Sequence, residues 1–303
     1  MRIVVALGGN ALLKRGEVLS AAAQHENITM AAARLASMVM AGHQLLITHG
    51  NGPQVGLLAL QAASGPPASA QPLDELDAES EGWIGYALEQ ELANALPAGT
   101  EIATLLTRIA VAQDDQAFAK PSKPIGPVYD EETARQLARQ RGWTVAPDGK
   151  FWRRVVASPA PVSILNETSI IRLTQAGTLV ICAGGGGIPV TRNEGGKWRG
   201  VEAVIDKDSA SALLAVRLKS DLFIMLTDVD AVYADYGTTS QRKIASATPN
   251  EMGLESFAAG SMGPKVTAAC RFAKETGHPA IIGCLNDVEN ILAGRAGTKI
   301  SLQ

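Results

Sequence analysis

Three short apolar runs in this chain end abruptly in glycine. Residues 2–7 run into Gly8-Gly9-Asn10, residues 45–48 into His49-Gly50-Asn51-Gly52, and residues 178–182 into the run Gly184 to Gly187. Apolar, β-branched runs of this length bounded by glycine read as buried strands. The segments after them carry helical patterns, and repeated strand, turn and helix is the signature of a parallel sheet flanked by helices. In such a sheet the three turns fall at strand carboxyl ends, on the edge where open α/β sheets bind ligands. Glycine lets backbone approach an anion, and the N–H groups of a helix start supply donors. One such turn is as readily plain turn geometry; three on one edge point to a phosphate-type site. Neither GxxxxGK[ST] nor GxGxxG occurs, which weighs against a Walker-type ATPase and a dinucleotide dehydrogenase.

The alternation extends along most of the chain. Residues 25–41 read as a helix stopped by Gly42, residues 76–92 as another, and residues 101–107 as a strand. Pro53 suits the first turn of the helix after the second glycine turn. Further on come a helix over 166–176 with Asn166 as its cap, a hairpin over 189–200, a helix over 206–218 and a strand over 221–226. Thr248-Pro249 opens a helix, residues 265–276 form one stopped by Gly277, and strands over 279–283 and 299–302 close the pattern. Between residues 114 and 156 the alternation breaks. Pro121, Pro124 and Pro127 crowd together, residues 131–141 read as a charged helix, and a hairpin turns at Pro147-Asp148-Gly149. The expectation is one domain over residues 1–303, with residues 114–156 inserted as a small protruding subdomain.

Composition narrows the partners. The 303 residues are 46% hydrophobic, enough for a sizeable core. Lys plus Arg is 27 against 30 Asp plus Glu, a net charge of −3, so neither a nucleic acid nor an anionic membrane is expected as a partner. No run of 18 apolar residues is present to span a bilayer. Cys182, Cys270 and Cys284 are odd in number and form no CxxC pair, which argues against disulfides or zinc and fits a reducing cytoplasm.

The charged candidates are lysines. Lys123 lies in PSKPIGP within the insertion, Lys207 in AVIDKDSA, and Lys265 in GSMGPK. Lys207 and Lys265 fall at helix starts, where the macrodipole disfavours a cation. A bound anion opposite them would account for both, although each alone is commonly a solvated surface lysine. Asp206 suits the N-cap of its helix. Asp208 is either a first-turn acid or an organiser of lysine ammonium groups, with Mg²⁺ contact as a further option. Asp228, at a strand end, is either a cap or a nucleotide contact. The histidines are scattered; His49 alone adjoins a glycine turn, in a supporting rather than catalytic role. No GxSxG or HExxH motif occurs.

The stretches VVALGGNALL, ITHGNGPQVGLLALQ, IGYALEQ, KPIGPVY, RRVVASP, VICAGGGGIPV, VEAVIDKDSASALLA, MLTDVDAVY and GSMGPKVTAAC resemble, in order and over nearly the whole chain, the carbamate kinases of the amino acid kinase superfamily. The resemblance implies a three-layer αβα sandwich around a mainly parallel sheet of about eight strands, with a protruding subdomain, in a cytoplasmic homodimer. It implies the reaction ATP + carbamate = ADP + carbamoyl phosphate, run toward ATP in arginine or purine catabolism, with Mg²⁺ carried by the nucleotide and no metal ligand supplied by the protein alone. By the motif match Lys123, Lys207 and Lys265 would clamp the transferring phosphoryl group and Asp208 would organise them. Gly8, Gly9, Asn10, Gly50, Asn51 and Gly52 would hold carbamate or carbamoyl phosphate. Gly185, Gly186, Asp228, Ser261, Met262 and Gly263 would lie on the nucleotide side. The chain departs from the family pattern at Glu79 and Glu81, where Met and Gln are expected, and at Ser122, Ala157 and Ser209. Two other readings stay open: a kinase of this fold with another acceptor, against which Lys123 speaks, and a non-catalytic nucleotide-binding paralogue, against which the three intact lysines speak.

Overall fold

The computed structural model describes residues 1–12, 20–65, 71–258 and 260–303, apart from the side chains of Asn10 and Ala11. Its main sheet has eight strands. The central ones are β1 (Arg2–Leu7), β2 (Gln44–His49), β9 (Leu179–Cys182) and β12 (Leu222–Thr227), joined by β3 (Ile102–Leu105), β15 (Ser246–Ala247), β16 (Ala280–Cys284) and β17 (Thr298–Ile300). The order is β15-β17-β16-β12-β1-β2-β9-β3, and all neighbours are parallel except the β16–β17 pair. The central strands read as unbroken apolar runs because both faces are covered. Along β1, Val4 and Ala6 face one cluster and Ile3, Val5 and Leu7 the other.

Helices supply the outer layers of an αβα sandwich. On one face lie α2 (Ala21–Met40), α4 (Leu73–Ala95) and α10 (Val288–Leu292), contributing Ile28, Leu35, Ile84, Leu88 and Val288 to the core. On the other lie α6 (Glu167–Gln175), α7 (Lys207–Arg217), α8 (Pro249–Met252) and α9 (Met262–Thr276), with Ile170, Leu214, Met252 and Phe272. Local chemistry sets the helix ends. The Ser20 hydroxyl accepts the N–H of Ala23 at the start of α2, Thr248 and Glu251 form a capping box at α8, and Gly277 ends α9 at φ +75°.

Smaller units join this frame. A four-stranded sheet β11-β10-β4-β8 is built from β4 (Arg108–Val111), β8 (Pro161–Ile164), β10 (Ile188–Arg192) and β11 (Trp198–Gly200), the last two being the expected hairpin. A second hairpin pairs β13 (Val232–Ala234) with β14 (Arg242–Ile244). The expected break in alternation is a separate antiparallel sheet of β5 (Lys123–Tyr129), β6 (Thr144–Asp148) and β7 (Phe151–Val156), in the order β5-β7-β6, with α5 (Glu131–Arg141). It meets the body at α3 (Gly52–Ser64), where Ile125 and Val156 share a cluster with Val55, Leu73 and Val204. At that junction a Cβ on Gly56 would stand 2.4 Å from the Gly126 Cα, so two glycines allow backbone to touch backbone. The four-residue α1 (Gly9–Leu12) completes the set.

Candidate active site

Because β1, β2 and β9 are neighbours, their glycine turns lie side by side. Gly8 N–H donates to the Leu226 carbonyl at 2.7 Å and Gly50 N–H to the Leu7 carbonyl at 2.9 Å, so the first two turns continue the sheet's ladder before leaving it. The third turn is more contorted. Ala183, Gly185, Gly186 and Gly187 all have positive φ, at +51°, +69°, +104° and +80°. For Ala183 that conformation carries strain. Outside groups hold it: Ala183 N–H donates to Thr107 Oγ1 at 2.9 Å, and Gly184 N–H to Glu81 Oε1 at 2.8 Å. Side chains could not replace the glycines here. A Cβ on Gly185 would lie 2.1 Å from Asn51 Nδ2, and one on Gly186 2.3 Å from the Ile205 carbonyl oxygen.

These turns floor a cleft of about 360 Å³, which has Gly8, Gly9, Gly50, Asn51, Gly52 and Gly185 on one side. The stretch Val204 to Asp208, with Thr227, Gly260, Ser261 and Lys265, forms the other side, and Lys123, Ile125 and Arg153 of the inserted sheet close the top. Among the described residues the cleft is lined by four cations, Lys123, Arg153, Lys207 and Lys265, against two acids, Asp206 and Asp208. With the N-terminal ends of α3, α7 and α9 directed at it, this cleft suits an anionic ligand.

The charges are organised pairwise. Lys207 Nζ donates to Asp208 Oδ1 at 2.6 Å and Lys265 Nζ to Asp208 Oδ2 at 2.9 Å, so one carboxylate is shared by two lysines. All three side chains are largely buried. Burial alone would raise the Asp208 pKa, but the two ammonium groups and their hydrogen bonds outweigh it and hold the carboxyl well below its ordinary range. For Lys207, burial lowers the pKa, Lys265 adds to that, and Asp208 offsets part of it. Asp206 caps α7, its Oδ1 accepting Ser209 N–H at 3.0 Å, while its Oδ2 accepts Lys123 Nζ at 2.7 Å. Burial opposes its ionisation, yet Lys123 keeps its pKa lowered.

The expected residues therefore divide. Lys123, Lys207, Asp208, Lys265, Gly8, Gly9, Gly50, Asn51, Gly52, Gly185 and Ser261 meet at this cleft. Asn51 is turned partly away: its amide nitrogen donates to Ser80 Oγ at 2.8 Å and Asp77 Oδ1 at 3.3 Å, both on α4. Gly186, Asp228, Met262 and Gly263 do not line the cleft. Gly186 packs on Ile205, Asp228 follows β12 and accepts the Thr227 hydroxyl at 3.0 Å, and Met262 packs against the core. Gly263 borders a larger cavity of about 700 Å³ along α8 and α9, which shares no lining residue with the cleft. The Asn10 side chain lies outside the described residues. His49 is buried and neutral, its pKa lowered to about 4 mainly by burial, and its Nδ1 donates to the Gly50 carbonyl at 3.2 Å.

Three contributors had no role assigned from sequence, although Glu81 stood out there as a departure from the family pattern. Arg153 donates from Nη2 to the Gly126 carbonyl at 2.6 Å and lines the cleft top; its place in RRVVASP was the available signal. Glu81 accepts N–H from both Thr107, at 3.1 Å, and Gly184. Burial pushes its carboxyl up to about 8 against those two hydrogen bonds. Asp77, which holds Asn51, had no sequence signal at all.

A parallel sheet with ligand-facing glycine turns, a shared carboxylate and lysines at helix starts is the constellation of a phosphoryl-transfer fold. The amino acid kinase family model matches residues 1–284, and the chain belongs to that family. Carbamate kinase of Haemophilus influenzae is 50% identical over 301 residues, covering 99% of this chain and 97% of that one. Carbamate kinase of Rhizobium meliloti is 53% identical over 304 residues, covering 99% and 93%. The solved carbamate kinase from Giardia lamblia bound to AMP-PNP superposes with a TM-score of 0.88 at 39% identity, over 99% of this chain and 98% of that one. Within the family, the chain is a member of the carbamate kinases.

Proposed function

We propose that this chain catalyses reversible phosphoryl transfer, ATP + carbamate = ADP + carbamoyl phosphate, running toward ATP in catabolism. The observation that carries the reading is the Asp208 carboxylate shared between Lys207 and Lys265 in a cleft floored by three glycine turns. The carbamate kinases that it resembles supply the acceptor.

Phosphoryl transfer asks a protein for position and charge stabilisation rather than covalent help. An oxygen of the carbamate anion attacks the γ-phosphorus in line while the bond to the β–γ bridging oxygen breaks and ADP leaves. No proton moves, so no general base is needed, in keeping with a neutral, buried His49. The obstacle is repulsion between two anions. Lys207 and Lys265 offset it at the equatorial oxygens, Lys123 from above, and N–H groups of the glycine turns at the acceptor. Asp208 stays ionised beneath the two lysines and fixes their spacing.

Mg²⁺ is proposed to enter with the nucleotide phosphates. Both Asp208 oxygens already accept lysine hydrogen bonds, and among the described residues no group of three or more His, Cys, Asp or Glu side chains is placed to hold a metal ion. We further propose a cytoplasmic homodimer. Trp83 and Tyr86 are exposed on α4, which packs along the edge strand β3, and Leu106 at the end of that strand is exposed too. No helix among the described residues is long and apolar enough to cross a membrane.

The direct test mixes the protein with ADP, Mg²⁺ and carbamoyl phosphate and measures ATP. ATP formation is expected. ADP binding without turnover would favour a nucleotide-binding regulator, and turnover only with another acyl phosphate would move the acceptor assignment.

A further inference from the structure

Asp206 does more than cap a helix. Its two oxygens have separate partners: Oδ1 accepts the Ser209 N–H of α7, and Oδ2 accepts the Lys123 ammonium of the inserted sheet. The capped helix is the one that presents Lys207 and Asp208. One carboxylate thus ties the lysine above the cleft to the helix that carries the lysine below it.

The surrounding backbone makes this tether specific. Lys123 begins β5 and pairs in register with Val156 of β7, and Ser122 N–H donates to the Val156 carbonyl at 3.1 Å. The next residue, Ala157, accepts the N–H of Val204 at 3.0 Å, two residues before Asp206. The foot of the inserted sheet is therefore hydrogen-bonded to the segment that leads into α7, where Ala157 and Ala203 also form an isolated parallel bridge. A second ion pair, Arg154 to Glu202 at 3.9 Å, joins the same two segments away from the lysine clamp, with Glu202 largely exposed. Lys123 has a flexible four-carbon stem, and its ammonium has three donors. Among the described residues Asp206 alone engages it, through one donor, so the others can meet an incoming oxyanion.

We propose that Asp206 is a positioning residue for the phosphoryl site. It docks the lid lysine, Lys123, over the cleft before substrate arrives, so that the acyl phosphate meets a lysine already in place. The proposal rests on the phosphoryl-transfer reading. It predicts that Asp206 acts through Lys123 rather than through α7.

Asp206→Asn separates the two jobs, because asparagine caps a helix as well as aspartate does but lacks the charge that holds Lys123. In the ADP and carbamoyl phosphate assay, D206N should raise KM for carbamoyl phosphate about fivefold, the scale of a part-buried ion pair, with kcat little changed. Added to Lys123→Ala, the same substitution should have no further effect, because the group through which it acts is gone. An equal D206N effect in both backgrounds, or no effect in either, would overturn the proposal. Hydrogen exchange on the substrate-free protein is the second measurement. D206N should speed exchange of backbone amides across β5 and β7, while Glu202→Gln leaves the Lys123 end unchanged and D206A alone lowers the thermal midpoint by uncapping α7. Unchanged exchange in D206N would sink the docking role even in an active enzyme. Should the wild type form no ATP, the exchange result would still decide the dock separately from the activity.

Discussion

The residue with most at stake is Asp208. A buried carboxylate between two ammonium groups stabilises a cluster that would otherwise be two facing cations, so deleting the shared carboxylate should cost roughly 3–5 kcal/mol. Its partners have a different cost. Lys207→Ala and Lys265→Ala should each fold normally and lose about a hundredfold in kcat, or ~3 kcal/mol of transition-state stabilisation, in the ATP-forming assay. Near-wild-type turnover in both would remove the lysine clamp from the mechanism. Glu81 yields a pH prediction. Its folded-state pKa is raised to about 8 by burial, so the folded protein holds a proton that the unfolded chain releases from about pH 4.5 upward. The stability linked to that proton is fully present below pH ~4.5 and is lost as the pH climbs toward 8. Glu81→Gln should flatten the fall in urea-unfolding free energy across that window, by an amount on the order of a few kcal/mol in the wild type. Asp208 has the opposite sign: its depressed pKa adds stability above its unfolded value near 4, lost as the pH falls below it.

At the scale of elements, the inserted sheet depends on its seat. Gly56 of α3 and Gly126 of β5 touch backbone to backbone, and any side chain on Gly56 would push β5 off the helix. Gly56→Ala should move Lys123 with the strand, raising KM for carbamoyl phosphate several-fold while leaving the thermal midpoint of the αβα core close to wild type; an unchanged KM would show that the seat does not set the lysine. Much of the element plan was legible in the sequence. Gly277, Gly42, the Thr248-Pro249 pair and the Pro147-Asp148-Gly149 turn each carry a local rule that marks a boundary, and the structure places boundaries there or one residue away. The helix over residues 131–141 is found with the same ends, whereas the one expected from residue 25 begins at Ala21, after a Ser20 cap. The β4–β8–β10–β11 sheet was not foreseen as a unit. Its strands are three to five residues long, and their pairing spans loops that no local pattern encodes. The same limit applies to the site. The three lysines could be picked out by their neighbours in sequence, but the Lys123–Asp206 pair joins positions 83 residues apart and is visible only in three dimensions.

For the whole molecule, the homodimer proposal predicts a sedimentation mass near twice the 31.6 kDa of one chain. Tyr86→Glu, on the exposed face of α4 beside β3, should shift that mass toward the monomer; a single-chain mass in the wild type would end the proposal. The order of the main sheet has one more consequence. β1 is made before both of its neighbours and sits at the centre, between β2 and β12. Its β2 edge can pair once residue 49 is available, but its other edge waits for residues 222–227. At roughly 5–20 residues per second, the newborn chain carries an apolar strand with one open edge for about 10–40 s. A molecule so arranged must be guarded while it is being made, by a chaperone or by its own partial layers, because an open hydrophobic edge is a template for pairing with the wrong chain.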